Sequence, residues 1–442
     1  MMKTRVKKYT DGAMLWIVLM LLMIASAGCG KKIQEEGNAA VVDLMTGITS
    51  NGTGQENVDL SLMEESTVAV TDFSVKLFKS SFSDTENTLI SPLTVLYALA
   101  MTANGAEGES LAQMEEAIGL SREEMNEYLY AYRNQMQEEM EKNNNCTLEF
   151  ANSIWLKEDE SLSVEQDFLQ INADYYDADI YRLPFDEAAV QSVNDWVSES
   201  TDGTIDEILS QMPENAVMYL IGATILDAQW SETYSSHQVR KGVFTKEDGT
   251  TCQAEFMYGT EYNSYLEDDN AQGFYKDYAG GYAFAVLLPD EGISLSDYAA
   301  SLTGDKLHKI LTDKVQGLVQ VNTAIPKFET VFEREMSDIL KGMGMEAVFD
   351  GSRADLAGIG TYEGANLVMN QLLHKTYIAV DEQGTKAGAV AEAEDYAIAA
   401  EEPEEIEIKT VYLDRPFIYM IIDRETKVPV FIGTVMEVQN NS

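Results

Sequence analysis

Apolar residues along this chain recur first at helical spacing and later at strand spacing. Phe73, Leu77 and Phe78 share one helical face behind a Thr71-Asp72 start signal. Ser91-Pro92 opens a second helix, because Ser caps free backbone N–H groups and Pro fits the first turn. That helix runs through residues 93–101 and stops at Asn104-Gly105; apolar all round, it is expected to be central and buried. The pattern predicts further helices at 109–118, 121–142, 163–175 and 187–200. Strand-like runs dominate afterwards, at 148–156, 219–227, 282–288, 315–326, 365–380, 416–423 and 428–435. Helices early and strands late, with no alternating rhythm, predict one α+β domain with large sheets. It is expected to span residues 67–442.

The N-terminus follows another logic. Lys3, Arg5, Lys7 and Lys8 precede an uncharged stretch, 14–27, and then Ser26-Ala27-Gly28-Cys29. About 14 apolar residues fall short of the roughly 20 a membrane helix needs. A short apolar core before small residues reads as a signal peptide over residues 1–28. Its Ala-Gly-Cys ending resembles a bacterial lipoprotein signal. That resemblance implies a lipidated Cys29 as mature N-terminus and an extracytoplasmic domain held on the cell membrane. Residues 29–66 contain Gln34-Glu35-Glu36-Gly37-Asn38 and Asn51-Gly52-Thr53-Gly54, which bury little, and are expected to form a flexible tether.

Charge narrows the partners. Thirty Lys and Arg face 75 Asp and Glu, a net charge of −45. Removing residues 1–28 takes away four bases and one acid, leaving 26 against 74, a net of −48. Phosphate binding needs a basic face, so nucleic acid is excluded as a partner. What remains is plain solubility or attraction of basic partners. Beyond the signal, Cys146 and Cys252 are too few for a disulfide framework and are expected as buried free thiols.

No catalytic centre is nominated. His237, His308 and His374 are scattered, none at metal-ligand spacing, so neither metal nor cofactor is expected. A Gly-x-Ser-x-Gly elbow and a phosphate-binding loop are both missing from the sequence.

The informative segment is 374–417. A strand pattern from His374 to Val380 ends in Asp381-Glu382-Gln383-Gly384. With a period of two, Thr385, Ala387, Ala389, Ala391 and Ala393 form one small face, while Lys386, Gly388, Val390, Glu392 and Glu394 form the other. Such a segment suits insertion between two strands. On composition alone an Ala-rich helix or a flexible acidic loop fits as well.

Seven pieces of sequence in order resemble the serpins. Glu382-Gln383-Gly384-Thr385 followed by small residues is similar to the hinge of their reactive loop. Val411-Tyr412-Leu413-Asp414-Arg415-Pro416-Phe417 with Phe431-Ile432-Gly433-Thr434 resembles their C-terminal signature. Asn87-Thr88-Leu89-Ile90-Ser91-Pro92 and Asn104-Gly105-Ala106 resemble an early helix. Asn194-Asp195-Trp196 with Thr201-Asp202-Gly203-Thr204, Leu288-Pro289-Asp290 and Ile325-Pro326-Lys327-Phe328 complete the match.

The resemblance implies a fold of three β-sheets and eight or nine helices, with an exposed reactive loop at about 382–410. It implies no enzyme but a one-use inhibitor of serine proteases, acting as a monomer through a covalent complex. Glu382, Gly384, Thr385, Ala387, Ala389 and Ala391 would be its hinge, and Ser91, Thr94, His374 and Trp230 the residues that hold the sheet shut. Gly222 stands where the family carries an Asn, which implies one missing contact. The reactive bond falls near Ile398, sixteen residues beyond Glu382, with Tyr396, Ala397, Ala399 and Ala400 as neighbouring candidates. Counting back from Pro416 lands instead near Glu405, so the loop is about seven residues longer than usual. Small apolar residues suit an elastase-like pocket and Tyr396 a chymotrypsin-like one. Between Lys386 and Lys409 no base occurs, which disfavours trypsin-like targets. The alternative is a non-inhibitory member used for binding or as a scaffold.

Overall fold

The computed structural model describes residues 41–52, 60–143, 145–212, 216–313, 317–385 and 406–438. The largest sheet has seven strands: β1 Val42–Asp43, β2 Cys146–Lys157, β3 Asp179–Leu183, β4 Met218–Gln229, β5 Phe328–Glu335, β6 Gln371–Val380 and β7 Gly384–Thr385. Their order across the sheet is β1-β3-β2-β4-β7-β6-β5. A six-stranded sheet runs from Thr88–Ile90 through Pro429–Val435, Phe417–Asp423, Tyr282–Pro289 and Ala271–Asp277 to Tyr265–Glu267. A four-stranded sheet orders Glu407–Tyr412, Val319–Pro326, Thr251–Tyr262 and Val239–Thr245. These are the three expected sheets; a small fourth joins Ala365–Asn366, Gly360–Tyr362 and Leu162–Val164. Nine α-helices lie among the described residues.

Burial follows the sequence pattern. All twelve residues of the helix Pro92–Ala103 are buried, as its uniform apolarity demands. The Ser91 hydroxyl caps it by accepting from the Thr94 N–H. In β6, Leu372, His374, Thr376, Ile378 and Val380 are buried and alternate with half-buried residues, so one face meets the core. β4 is apolar almost throughout because both of its faces are covered. One face meets the main core; on the other, Tyr219, Ile221 and Ala223 pack in a second cluster with Trp155, Val193 and Trp196, the last two from the helix Glu187–Ser200.

Three expectations change. The tether was expected to run to residue 66, yet Val42–Asp43 pairs with Arg182 and Tyr181 of β3, and the first described α-helix starts at Glu64. Leu44, Met45 and Ile48 pack against the core, and the Asn51 N–H donates to Asp174 at 2.7 Å. Polar residues around these three apolar side chains hide the signal. The 365–380 run is broken, because Ala365–Asn366 joins the small sheet and only Gln371–Val380 enters the large one. The helix expected at 163–175 is Gln166–Tyr176, and 162–164 is strand instead. Cys146 and Cys252 are unpaired, one buried and one half-buried.

Candidate functional site

The centre of interest is the line where β4 meets β6. These strands run parallel and pair from Tyr219↔Gln371 to Thr224↔Thr376. Beyond Thr224 and Thr376 they part, and β7 fills the opening. Thr385 stands opposite Ala228 on one side and Val380 on the other, antiparallel to both. The sheet is therefore closed for six residue pairs and already split by a strand above them.

A tight turn delivers β7. The Asp381 carboxylate accepts from the N–H groups of Gln383 (2.7 Å) and Gly384 (3.3 Å), and the Asp381 N–H donates to the Gly384 carbonyl at 3.0 Å. Gly384 is required there: a Cβ would run into the Ala228 carbonyl oxygen, at a φ of +155°. The Trp230 indole N–H donates to the Asp381 carbonyl at 2.8 Å, and its ring stacks on Tyr278 with centroids 4.3 Å apart. The backbone N–H groups of Trp230 and Tyr234 donate to the carbonyls of Gln383 and Glu382. Lys327 lies 2.6 Å from the Glu382 carboxylate and 3.3 Å from Glu255. Burial pushes Glu382 up, but its bond to Lys327 and that lysine's charge outweigh this and hold it below the usual carboxylate range.

A second group sits beneath the closed part. The Ser91 N–H donates to His374 Nε2 at 3.1 Å. The Thr94 hydroxyl donates to Ser91 Oγ at 2.8 Å and also touches Thr224 Oγ1. The Thr376 hydroxyl donates to the Leu89 carbonyl at 2.8 Å. These bonds tie the buried helix and the strand before it to both β4 and β6. Burial pushes His374 down to about 4, against the opposing pull of the Gly222 backbone, so the ring is neutral at pH 7.

Gly222 pairs directly with Asn152 of β2 and His374 of β6. A Cβ on it would lie 2.6 Å from Thr94 Cγ2 and 3.1 Å from Asn152 Oδ1. The space that a longer residue would need is filled by Thr94 and by an Asn from the neighbouring strand. Thr224 meets Thr94 here, and the Asn152 side chain lies close by.

Ser91, Thr94 and His374 come together. Trp230 joins Glu382, Gly384 and Thr385 at the far end of β4. The hinge residues Ala387, Ala389 and Ala391, the reactive-bond candidates Tyr396, Ala397, Ile398, Ala399 and Ala400, and Cys29 lie outside the described residues. Sequence reasoning missed Lys327, Tyr278, Asn152, Thr224 and Thr376. Only Thr376 carried a signal, being in phase with His374 on the buried face of β6.

Known proteins resemble this chain. A family model described as Serpin (serine protease inhibitor) matches residues 68–438. A serpin-like protein of Thermococcus kodakarensis is 27% identical over 373 residues, covering 83% of this chain and 84% of its own length. An α-1-antitrypsin of Mus musculus is 24% identical over 374 residues, covering 83% and 87%. The crystal structure of the thermophilic serpin tengpin in its native state aligns with a TM-score of 0.81 and 42% identity, over 90% of this chain and all of that one. Its latent state gives 0.73 at 40% identity, over 87% of this chain. Matched over most of its length by the family model and by a close structural relative, the chain belongs to the serpin family.

Proposed function

We propose that this serpin inhibits serine proteases of elastase-like or chymotrypsin-like specificity by trapping the acyl-enzyme. The observation that carries this reading is the split between β4 and β6, with Thr385 already seated inside it. Continuing the register of β7 sets Ala387 opposite Leu226 and Ile378, Ala389 opposite Thr224 and Thr376, and Ala391 opposite Gly222 and His374. All of these facing residues are buried. The small face of the segment would therefore meet the core, and Lys386, Glu392 and Glu394 would meet the other side.

The step requires only chemistry the protease supplies. Its serine attacks the bait carbonyl, forms an ester and releases the downstream amine. The freed strand then inserts, exchanging six parallel pairs for antiparallel ladders on both sides. A strand of about 14 residues carries the attached protease on the order of 45 Å. Inhibition succeeds when insertion outruns hydrolysis of the ester. We further propose a lipid anchor at Cys29, which would hold the inhibitor at the outer face of a bacterial cell membrane.

The test is incubation with pancreatic elastase and with chymotrypsin, followed by a denaturing gel. A covalent band at the summed mass is expected. Cleavage without such a band would instead support a non-inhibitory binding protein. Solved structures of that kind of fold include human thyroxine-binding globulin complexed with its ligand, 22% identical with a TM-score of 0.74.

A further inference from the structure

A cavity of about 320 Å³ opens at the edge of the large sheet, away from the β4–β6 line. It exists because β3 pairs with β2 only from Ser153↔Asp179 onward, whereas β4 pairs with β2 from Cys146. The first half of β2 therefore has a strand on one edge only. The helices Arg122–Lys142 and Gln166–Tyr176 roof the gap instead. Its volume is at the lower end of the range for small-molecule sites.

The lining is mixed: Tyr97, Met101, Met136, Met140, Phe150 and Trp196 supply an apolar part, and polar side chains the rest. One cation lines it. Arg133 Nε and Nη1 are buried and have no hydrogen-bond partner among the described residues. The guanidinium rests 5.5 Å from the Tyr130 ring centroid. A buried guanidinium edge with unused N–H groups is costly unless an acceptor faces it. Its fork matches a carboxylate, which takes two parallel bonds. Asn152 Oδ1, also buried and without such a partner, lines the same cavity.

Carboxylates on the wall set the limit. Glu149, Asp177 and Asp179 line the cavity, and Asp179 already accepts from the Trp196 indole (3.0 Å) and the Tyr181 hydroxyl (3.1 Å). They repel multiply charged anions, which limits a ligand to a single acidic head. We propose that this cavity binds a small amphipathic carboxylic acid, with its apolar chain against the methionines and its carboxylate on Arg133.

Isothermal titration of the full chain with decanoate, and with the neutral decanamide, tests this. Saturable one-to-one binding of decanoate is expected, with decanamide at least about tenfold weaker. Arg133→Gln and the space-filling Met136→Trp should each weaken decanoate by about tenfold or more. Non-saturable uptake, equal affinity for the amide, or unchanged affinity in either folded variant would overturn the assignment. Should neither variant fold, the decanoate–decanamide comparison on the unaltered chain decides alone.

Discussion

The hydroxyls of Tyr278 and Thr385 lie 2.5 Å apart, both buried, where β7 enters the large sheet. This contact fixes the second residue of β7 against a tyrosine that Trp230 holds by stacking.

Thr385→Arg should convert the inhibitor into a substrate. A charge at this buried position without a partner costs several kcal/mol. Elastase should still cut the loop near Ile398, as mass spectrometry of the released peptide would show, while the covalent band disappears. Trapping at the unaltered level would rule out insertion through this position. A cut after Glu404 or Glu405 would instead indicate a Glu-specific target.

His374 makes stability depend on pH. Its folded value of about 4 lies below the unfolded value of 6.5, so between these limits only the unfolded chain binds the proton. Stability is full above pH 6.5 and falls as pH drops toward 4, by about 3 kcal/mol at the lower end. The melting temperature of the uncleaved protein should follow this slope, and His374→Gln should flatten it. An identical slope in the variant would place the titrating group elsewhere.

The Lys327–Glu382 pair should contribute modestly, since both side chains reach solvent. A double-mutant cycle with Lys327→Met and Glu382→Gln should give a coupling of about 0.5–1 kcal/mol at low salt. The folded carboxylate is held below its usual range, so this contribution is present above the unfolded value and lost as pH falls through the folded one. Coupling that is unaffected by acid would contradict the assignment.

Gly222→Ala should destabilise the uncleaved protein by about 1–3 kcal/mol, because the added methyl meets Thr94 Cγ2. Thr94→Ser removes that methyl, keeps the hydroxyl contact with Thr224, and should recover most of the loss. Denaturant melts of the two single variants and the double variant measure both effects. No recovery in the double variant would mean the clash lies with Asn152.

Cys29→Ser tests the anchor. In a bacterial host the unaltered chain should fractionate with membranes, since each buried CH₂ of an acyl chain contributes about 0.8 kcal/mol. The variant should be released or left unprocessed. Equal retention of both would argue for another means of attachment.

Most of the central architecture was legible because single-element signals were strong. The Ser91-Pro92 start, the uniform apolarity of the following helix and the alternation in β6 each specify their element locally. Short edge pieces were not legible: Val42–Asp43 is strand only because β3 offers it an edge. At the site, the helix cap and the hinge turn could be read from sequence, but their partners could not. Lys327 meets Glu382, and Asn152 meets Gly222, across long stretches of chain with no local pattern to announce either contact.

The β4–β6 line has a further property that comes from chain path. Between β4 and β6 the chain passes through the six-stranded and four-stranded sheets, forms β5 and then enters the small sheet, so no turn joins the two strands where they touch. Parallel neighbours always require such a detour. β1, β3, β2 and β4 form one leaf and β6 with β5 another, and the leaves are linked across this line by six pairs and by β7. Parting them breaks no hairpin and strains no short connection. The main sheet can therefore gain a strand in its interior, where most sheets grow only at an edge.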